Sequence, residues 1–561
     1  MAETIAIGIQ NFDKLREENY FYIDKTSFIR DWWEHGDDVT LIARPRRFGK
    51  TLNMSMMEAF FSLDYAGRED LFEGLSIWEE EKYRVLQGTY PVIFLSFANV
   101  KEENFESTSY RIRQLLMKIY EKNAFLEESN CLSEAEKEYF NRMRTGMSEV
   151  DAPMALYQLS DYLCRYYGKK VIIILDEYDT PMQEAYINGY WEQLVSFTRS
   201  LFNSTFKTNP YLARAIMTGI TRVSKESIFS DLNNLEVVTT TSDKYASAFG
   251  FTEDEVFSAL ERYGYGDRQE QVKYWYDGFT FGTHKDIYNP WSILNFLDKG
   301  KFATYWANTS SNSLIEKLIR EGDESVKETF ECLLRNEAIY CPIDEQVVYN
   351  QLDDDEDAIW SLFLASGYLK VLFYEDKVPG KSQMYELAVT NGEVLDMFCN
   401  MVRRWFKKTG KDYHGFIKAL LECNLKDMNS YMNEVALKTF SVFDTGKNPS
   451  RTEPERFYHG FVLGLLVDLS EEYVVTSNRE SGFGRYDVVM EPKDLKNGEA
   501  FILEFKVRDT ADEQSLKDTV RAAHDQIEEK RYDTHLIAKG IPEENIHKFG
   551  FAFEGKQVLI G

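Results

Sequence analysis

Two stretches carry residues whose types and spacing could hold a nucleoside triphosphate. The first is LIARPRRFGKTL, residues 41–52, in which a basic run ends in Gly49-Lys50-Thr51. A lysine placed there reaches the β- and γ-phosphates, and a threonine hydroxyl holds the magnesium ion. The phosphate-loop pattern G-x-x-x-x-G-K-[ST] asks for glycine five positions before Gly49. Arg44 stands there instead, followed by Pro45. Proline fixes its own φ and restricts the residue before it, so this loop must reach its shape by another route. Arg46, Arg47, Phe48 and Gly49 complete the turn, and its arginines add positive charge around the bound anion. The second stretch is VIIILDEYD, residues 171–179. Its four apolar β-formers lead to Asp176, which can bind magnesium, and Glu177, which can polarise an attacking water. Alone, it could equally be a buried strand that ends in surface acids.

A third stretch, MTGITRVSKESIFSDLNN from Met217, ends a strand in Thr218, Thr221 and Arg222. In AAA-like ATPases, a polar residue ending the strand beside the acidic one senses the γ-phosphate. Arg222 could contact phosphate in its own chain, serve a neighbouring copy, or be an ordinary surface arginine.

A separate constellation lies near the C-terminus. Asp487 sits in YDVVM (486–490), and Glu504 and Lys506 sit in AFILEFKV (500–507). Residues two apart on a strand share a face, and an antiparallel hairpin can set Asp487 beside Glu504. Two converging carboxylates bind Mg²⁺ or Mn²⁺. Such a metal activates water and stabilises a pentavalent phosphate, while Lys506 offsets charge or orients the nucleophile. The plain alternative is an amphipathic hairpin with a salt-bridged outer face.

These residues need elements to position them. Strand-like apolar runs fall at 39–43, 91–97, 171–177, 213–221 and 235–241, separated by long helical patterns. Near-continuous apolar strands alternating with helices predict a parallel sheet covered on both faces. From about 250 the pattern turns helical, with FTEDEVFSALERYG opening on acids. Region 290–440 carries no chemical signature and reads as a helical lid and linker, with one strand-like run at 366–374. The acidic run DDDED (353–357) reads as a solvated helix start. The expected division is 1–250, 251–345, 346–440 and 441–561.

Composition narrows the classes. The chain of 561 residues has a net charge of -28, which disfavours coating nucleic acid by overall charge but leaves a local basic groove open. Its 6 cysteines include no C-x-x-C pair, which argues against a zinc ribbon or thioredoxin-like site. No signal-peptide core and no run of eighteen apolar residues is present, so the expectation is a soluble cytoplasmic protein with no membrane segment.

Five words in order, YIDKT (22–26), ARPRRFGKTLNMSMM, ILDEYDTP (174–181), TGITRVSKESIFSDLNNL and WYDGFTFG…YNPWS (275–292), resemble the AAA-ATPase-like family of bacteria and archaea. RPRRFGKT is the usual loop of that family. The resemblance implies ATP and Mg²⁺ at Lys50, Thr51, Asp176 and Glu177. Further on, ERFYHGFVLGLL (455–466), SGFGRYDVVM, ILEFKV and QIEEKRY (526–532) resemble the PD-(D/E)XK nuclease-like domain. Its active-site pattern falls on Asp487, Glu504 and Lys506, with Glu455 as the helical acid and Gln526 as the active-site glutamine. Tyr486 stands where the name-giving proline would be. Together these imply an α/β chain: a P-loop parallel-sheet ATPase domain, a helical middle, and a C-terminal restriction-endonuclease-like domain. The implied function is an ATPase coupled to a metal-dependent nuclease acting on nucleic acid, in defence or mobile-element handling by analogy, with self-association left open. The alternative is a nucleotide-controlled regulatory or interaction protein whose nuclease-like domain is not catalytic.

Overall fold

The computed structural model describes residues 3–221, 228–229, 232–307, 313–322, 324–344, 352, 355–375, 378, 380, 382–407, 411–443, 462–479, 485–509, 512–554 and 557–561. The chain divides into two compact units, one of residues 1–310 and 340–394, the other of 311–339 and 395–561.

In the first unit, β1 (Val39–Ala43), β2 (Val92–Ser96), β3 (Val171–Asp176), β4 (Leu212–Gly219) and β5 (Leu235–Val238) form a parallel sheet in the order β2-β3-β4-β1-β5. Every residue of β1 and β3 is buried, as the unbroken apolar runs predict for strands covered on both faces. Parallel strands need long crossovers, and helices supply them. The helices Phe105–Lys122, Glu134–Gly146 and Ala155–Tyr167 lie between β2 and β3. Because the strands are parallel, their C-terminal ends share one edge of the sheet. The strand order sets β4 between β1 and β3, so the ends that carry Arg44, Thr218 and Asp176 are neighbours.

The stretch expected to be a helical lid also holds a small antiparallel sheet. Its strands are β6 (Phe251–Thr252), β7 (Phe279–Phe281) and β8 (His284–Tyr288), in the order β6-β8-β7. Gly282, at φ +58, takes the left-handed angle in the turn between β7 and β8. The expected helix is present at Glu253–Tyr263, opened by a reciprocal Thr252–Glu255 capping box. β9 (Ile339–Pro342), β10 (Leu369–Tyr374) and β11 (Met384–Val389) form a further sheet in the order β10-β11-β9.

The second unit is built on β12 (Tyr473–Arg479), β13 (Arg485–Pro492), β14 (Ala500–Val507), β15 (Ile546–Glu554) and β16 (Gln557–Ile560), adjacent in that order. The pair β14–β15 is parallel and the other pairs are antiparallel. The helix Leu516–Lys530 makes the crossover between β14 and β15. On the edge strand β16, Asn429 and Asn433 of the helix Leu425–Phe443 bond the main chain of Ile560 and Val558 through both amide atoms. That occupies groups an open edge would expose. No helix among the described residues is long and apolar enough to cross a membrane.

Candidate nucleotide and metal sites

The loop after β1 reaches a cradle shape without the first glycine. Arg44 N–H bonds the Gly219 carbonyl at 3.1 Å, extending the sheet edge by one residue. Its side chain turns inward and is fully buried. The guanidinium donates to the carbonyls of Ala43 (3.0 Å) and Lys244 (3.3 Å), and to that of Thr239, and it stacks over the Phe281 ring at 4.4 Å. Burial lowers it to about 9, so it stays charged at neutral pH. The left-handed angles fall later, at Arg47 (φ +65) and Gly49 (φ +78). Arg46 donates to Gln183 at 2.7 Å, and Arg47 stacks over Trp291 at 4.3 Å. The Phe48 ring is buried edge-on against Phe279 and Phe281, so only its backbone is left for a ligand.

Gly49 then opens the helix Lys50–Phe61, and no side chain caps its first turn. Those amides have no intrahelical acceptor and are free to meet an anion. Lys50 Nζ is buried among the carbonyls of Arg44 and Pro45, both at 3.1 Å, and lies 3.4 Å from Glu177 Oε1. Thr51 Oγ1 donates to Asp176 Oδ2 at 2.9 Å, which Ser96 also approaches at 3.3 Å. Thr218 Oγ1 donates to Asp176 Oδ1 at 2.7 Å and receives the Glu177 N–H at 3.3 Å. Burial, and then the Glu177 charge, raise the Asp176 carboxyl. A cation beside it would reverse both effects. Glu177 itself holds a left-handed φ of +54, a strained angle for a glutamate. Ammonium, hydroxyl, paired acids and uncapped amides are a donor set that suits a triphosphate with its divalent ion.

One turn on, the buried Asp179 Oδ2 accepts the N–H groups of Ile220 (2.8 Å) and Thr221 (2.9 Å), holding the chain after β4. Arg222, the next residue, lies outside the described residues. Neither Ser96 nor Asp179 was expected at the site. A serine ending the apolar run 92–96 was the available signal for the first, and the second aspartate of LDEYD for the other.

In the second unit, the β13–β14 register sets Asp487 directly opposite Glu504, and Arg485 opposite Lys506. The side chain of Asp487 and all of Glu455 lie outside the described residues. Glu504 is fully buried, and neither carboxylate oxygen has a hydrogen-bond partner among the described residues. Lys506, on the same face, is 9% exposed. That face is covered, not the outward side of a hairpin. Gly550 is the β15 partner of Glu504. A Cβ on Gly550 would meet Val520 O and Ala523 Cβ at 3.0 Å, so the helix Leu516–Lys530 lies over this level of the sheet. Gln526 is three residues past Ala523, on the same helix face. It is buried, and its amide oxygen has no partner among the described residues. A buried carboxylate without donors is costly, and oxygen ligands of this kind suit Mg²⁺ or Mn²⁺.

Both stretches of the chain also match families of known proteins. Residues 6–229 match the family model of predicted AAA-ATPases, and residues 453–561 match that of the PD-(D/E)XK nuclease superfamily. The chain is also similar to an uncharacterized protein of the vnfD 5' region of Azotobacter chroococcum mcd 1. The two are 25% identical across 98% of this chain and 96% of the relative.

Proposed function

For a chain that carries an AAA-ATPase-like domain followed by a PD-(D/E)XK nuclease superfamily domain, we propose nucleotide-controlled, metal-dependent hydrolysis of phosphodiester bonds in nucleic acid. The observation that carries this reading is Glu504. Its carboxylate is fully buried, lacks hydrogen-bond donors among the described residues, and belongs to a residue in register with Asp487. A buried charge without a partner among the described residues is expensive, and a divalent cation shared with Asp487 would offset it. Such a cation supplies Lewis acidity and a more acidic bound water. Lys506 steadies the anionic phosphate, Gln526 orients the nucleophile from the covering helix, and Glu455 is the further acid.

In the first domain, ATP with Mg²⁺ supplies a phosphoanhydride whose presence or loss reports to the rest of the chain. Lys50 binds its β- and γ-phosphates, and the first-turn amides cradle them. Thr51 and Asp176 hold the ion, and Thr218 keeps Asp176 in place. Glu177 orients the attacking water; its present contact with Lys50 at 3.4 Å must give way when phosphate binds. A requirement for ATP would fit a cytoplasmic location.

The test is cleavage of end-labelled DNA and RNA, single- and double-stranded, in Mn²⁺. Wild type should cleave at least one of them, and Glu504→Gln should lose at least a hundredfold in rate. Equal rates would remove Glu504 from the chemistry. No cleavage by folded wild type, with or without ATP, would favour the regulatory reading, in which the nuclease-like domain is not catalytic.

A further inference from the structure

A second cluster of metal-ligating side chains lies in the nuclease-bearing unit, away from the carboxylates. Cys423 sits in the turn between the helices Lys411–Leu421 and Leu425–Phe443. Glu499 immediately precedes β14, and His547 is the second residue of β15. The thiol sulfur, a glutamate oxygen and a ring nitrogen all lie within 4.8 Å of one another. His547 Nε2 is 3.6 Å from Glu499 Oε2, beyond hydrogen-bond range. That nitrogen is buried and has no hydrogen-bond partner among the described residues, which is uncommon for a polar atom out of water.

Two of the three groups are held by their surroundings, and the Glu499 side chain is half exposed. The His547 ring stacks on Phe501, with centroids 5.3 Å apart. Cys423 takes a left-handed φ of +52, rare for a residue with a Cβ. The turn is closed by Cys423 N–H to Leu420 O (3.0 Å) and Asn424 N–H to Ala419 O (2.9 Å). Phe416 of the first helix packs on Phe551 of β15, which seats this helical pair on the sheet.

Sulfur, imidazole nitrogen and carboxylate oxygen together are ligands of zinc, whereas calcium and magnesium take oxygen alone. Ligand atoms about 2.0–2.3 Å from a tetrahedral ion lie roughly 3.3–3.6 Å apart, close to the present His547–Glu499 spacing. The geometry points to a Zn²⁺-class site made by Cys423, Glu499 and His547, with water in the fourth position. On binding, the Cys423 thiol gives its proton to solvent and the metal keeps its oxidation state. The ion ties the helical turn, which precedes the superfamily match at 453–561, to the sheet inside that match. It is separate from the Asp487–Glu504 pair. Glu499 is five residues before Glu504, roughly 16 Å along a strand. His547 faces with its partner Phe501, on the opposite side of the sheet from Glu504. The other cluster of this kind, Glu253, Asp277 and Asp286, already surrounds the Lys273 ammonium and carries no such inference.

The test is Co²⁺ titration of the metal-free full-length chain, read by the thiolate-to-cobalt charge-transfer band. That band is blind to ions bound by carboxylates alone. Wild type should show it at one equivalent, zinc should abolish it, and zinc should raise the Tm. Cys423→Ser should lose the band, His547→Gln should weaken binding at least tenfold, and Glu504→Gln should leave it intact. No thiolate band in folded wild type, or an undiminished band in folded Cys423→Ser, would overturn the site. Should Cys423→Ser fail to fold, wild-type cobalt affinity in His547→Gln overturns it alone.

Discussion

Arg44 stands where the phosphate-loop pattern has glycine, yet it lies under the loop and not in it. Its buried guanidinium ties the loop to the carbonyls of Thr239 and Lys244, and Arg47 takes a left-handed angle instead. Restoring the pattern should therefore harm the protein. Arg44→Gly is expected to destabilise the nucleotide-free chain by about 3 kcal/mol, because several buried carbonyls lose a charged donor. Thermal unfolding checks this, and an unchanged Tm would contradict it. Lys50→Ala should abolish ATP binding by calorimetry, since under the proposed function Lys50 is the cation that meets the β- and γ-phosphates. Glu177→Gln should bind ATP normally and fail to hydrolyse it; normal turnover would mean that another group positions the water. The meeting of Lys50 with Glu177 and of Thr51 with Asp176 was legible in the sequence because a strand-loop-helix followed by an acid-ended strand brings such residues to one sheet edge. The inward turn of Arg44 was not, because an arginine beside a lysine reads as surface charge. Its partners lie about two hundred positions away in the chain.

At the scale of elements, the five parallel strands were readable from their apolar runs, unbroken in β1 and β3, whose every residue is buried. Their order was not. Nothing in local periodicity says that β4 enters between β1 and β3, although that brings Thr218 onto Asp176. The β7–β8 hairpin escaped because Phe279–Phe281 is too short to show alternation. The pairing of Asp487 with Glu504 was readable as one that an antiparallel hairpin allows, since period-two patterning limits the registers, although the long connection 493–499 does not fix it. A pH test belongs to the helix junction at Glu393. This buried carboxylate accepts from Ser292 and from the Trp306 and Ala307 N–H groups, and burial raises it from 4.5 to about 7. A carboxyl raised on folding favours the native state while protonated, below its unfolded value, and that contribution is lost as pH rises through about 7. Glu393→Gln keeps the neutral form. It should match wild type near pH 4, below the unfolded value, and exceed it by about 3 kcal/mol near pH 8. A pH-independent difference between the two in denaturant unfolding would contradict this.

At the scale of the molecule, the chain passes between its two compact units at three places, 310/311, 339/340 and 394/395. This interleaving differs from the expected division of 1–250, 251–345, 346–440 and 441–561; under the proposed function it gives a nucleotide-dependent change in one unit several covalent routes to the other. With a net charge of -28, the proposed function requires nucleic acid to be met by a local surface, with binding that weakens as salt rises. The central claim is that nucleotide held at Lys50 governs cleavage at Glu504. The most direct measurement is the initial rate of cleavage of the labelled substrate in Mn²⁺, with and without ATP, for wild type, Lys50→Ala and Glu504→Gln. Wild type should change its rate at least tenfold with ATP. Lys50→Ala should cleave at the nucleotide-free rate under both conditions, and Glu504→Gln should be inactive under both. An identical ATP response in wild type and Lys50→Ala, or full cleavage by Glu504→Gln, would contradict the account.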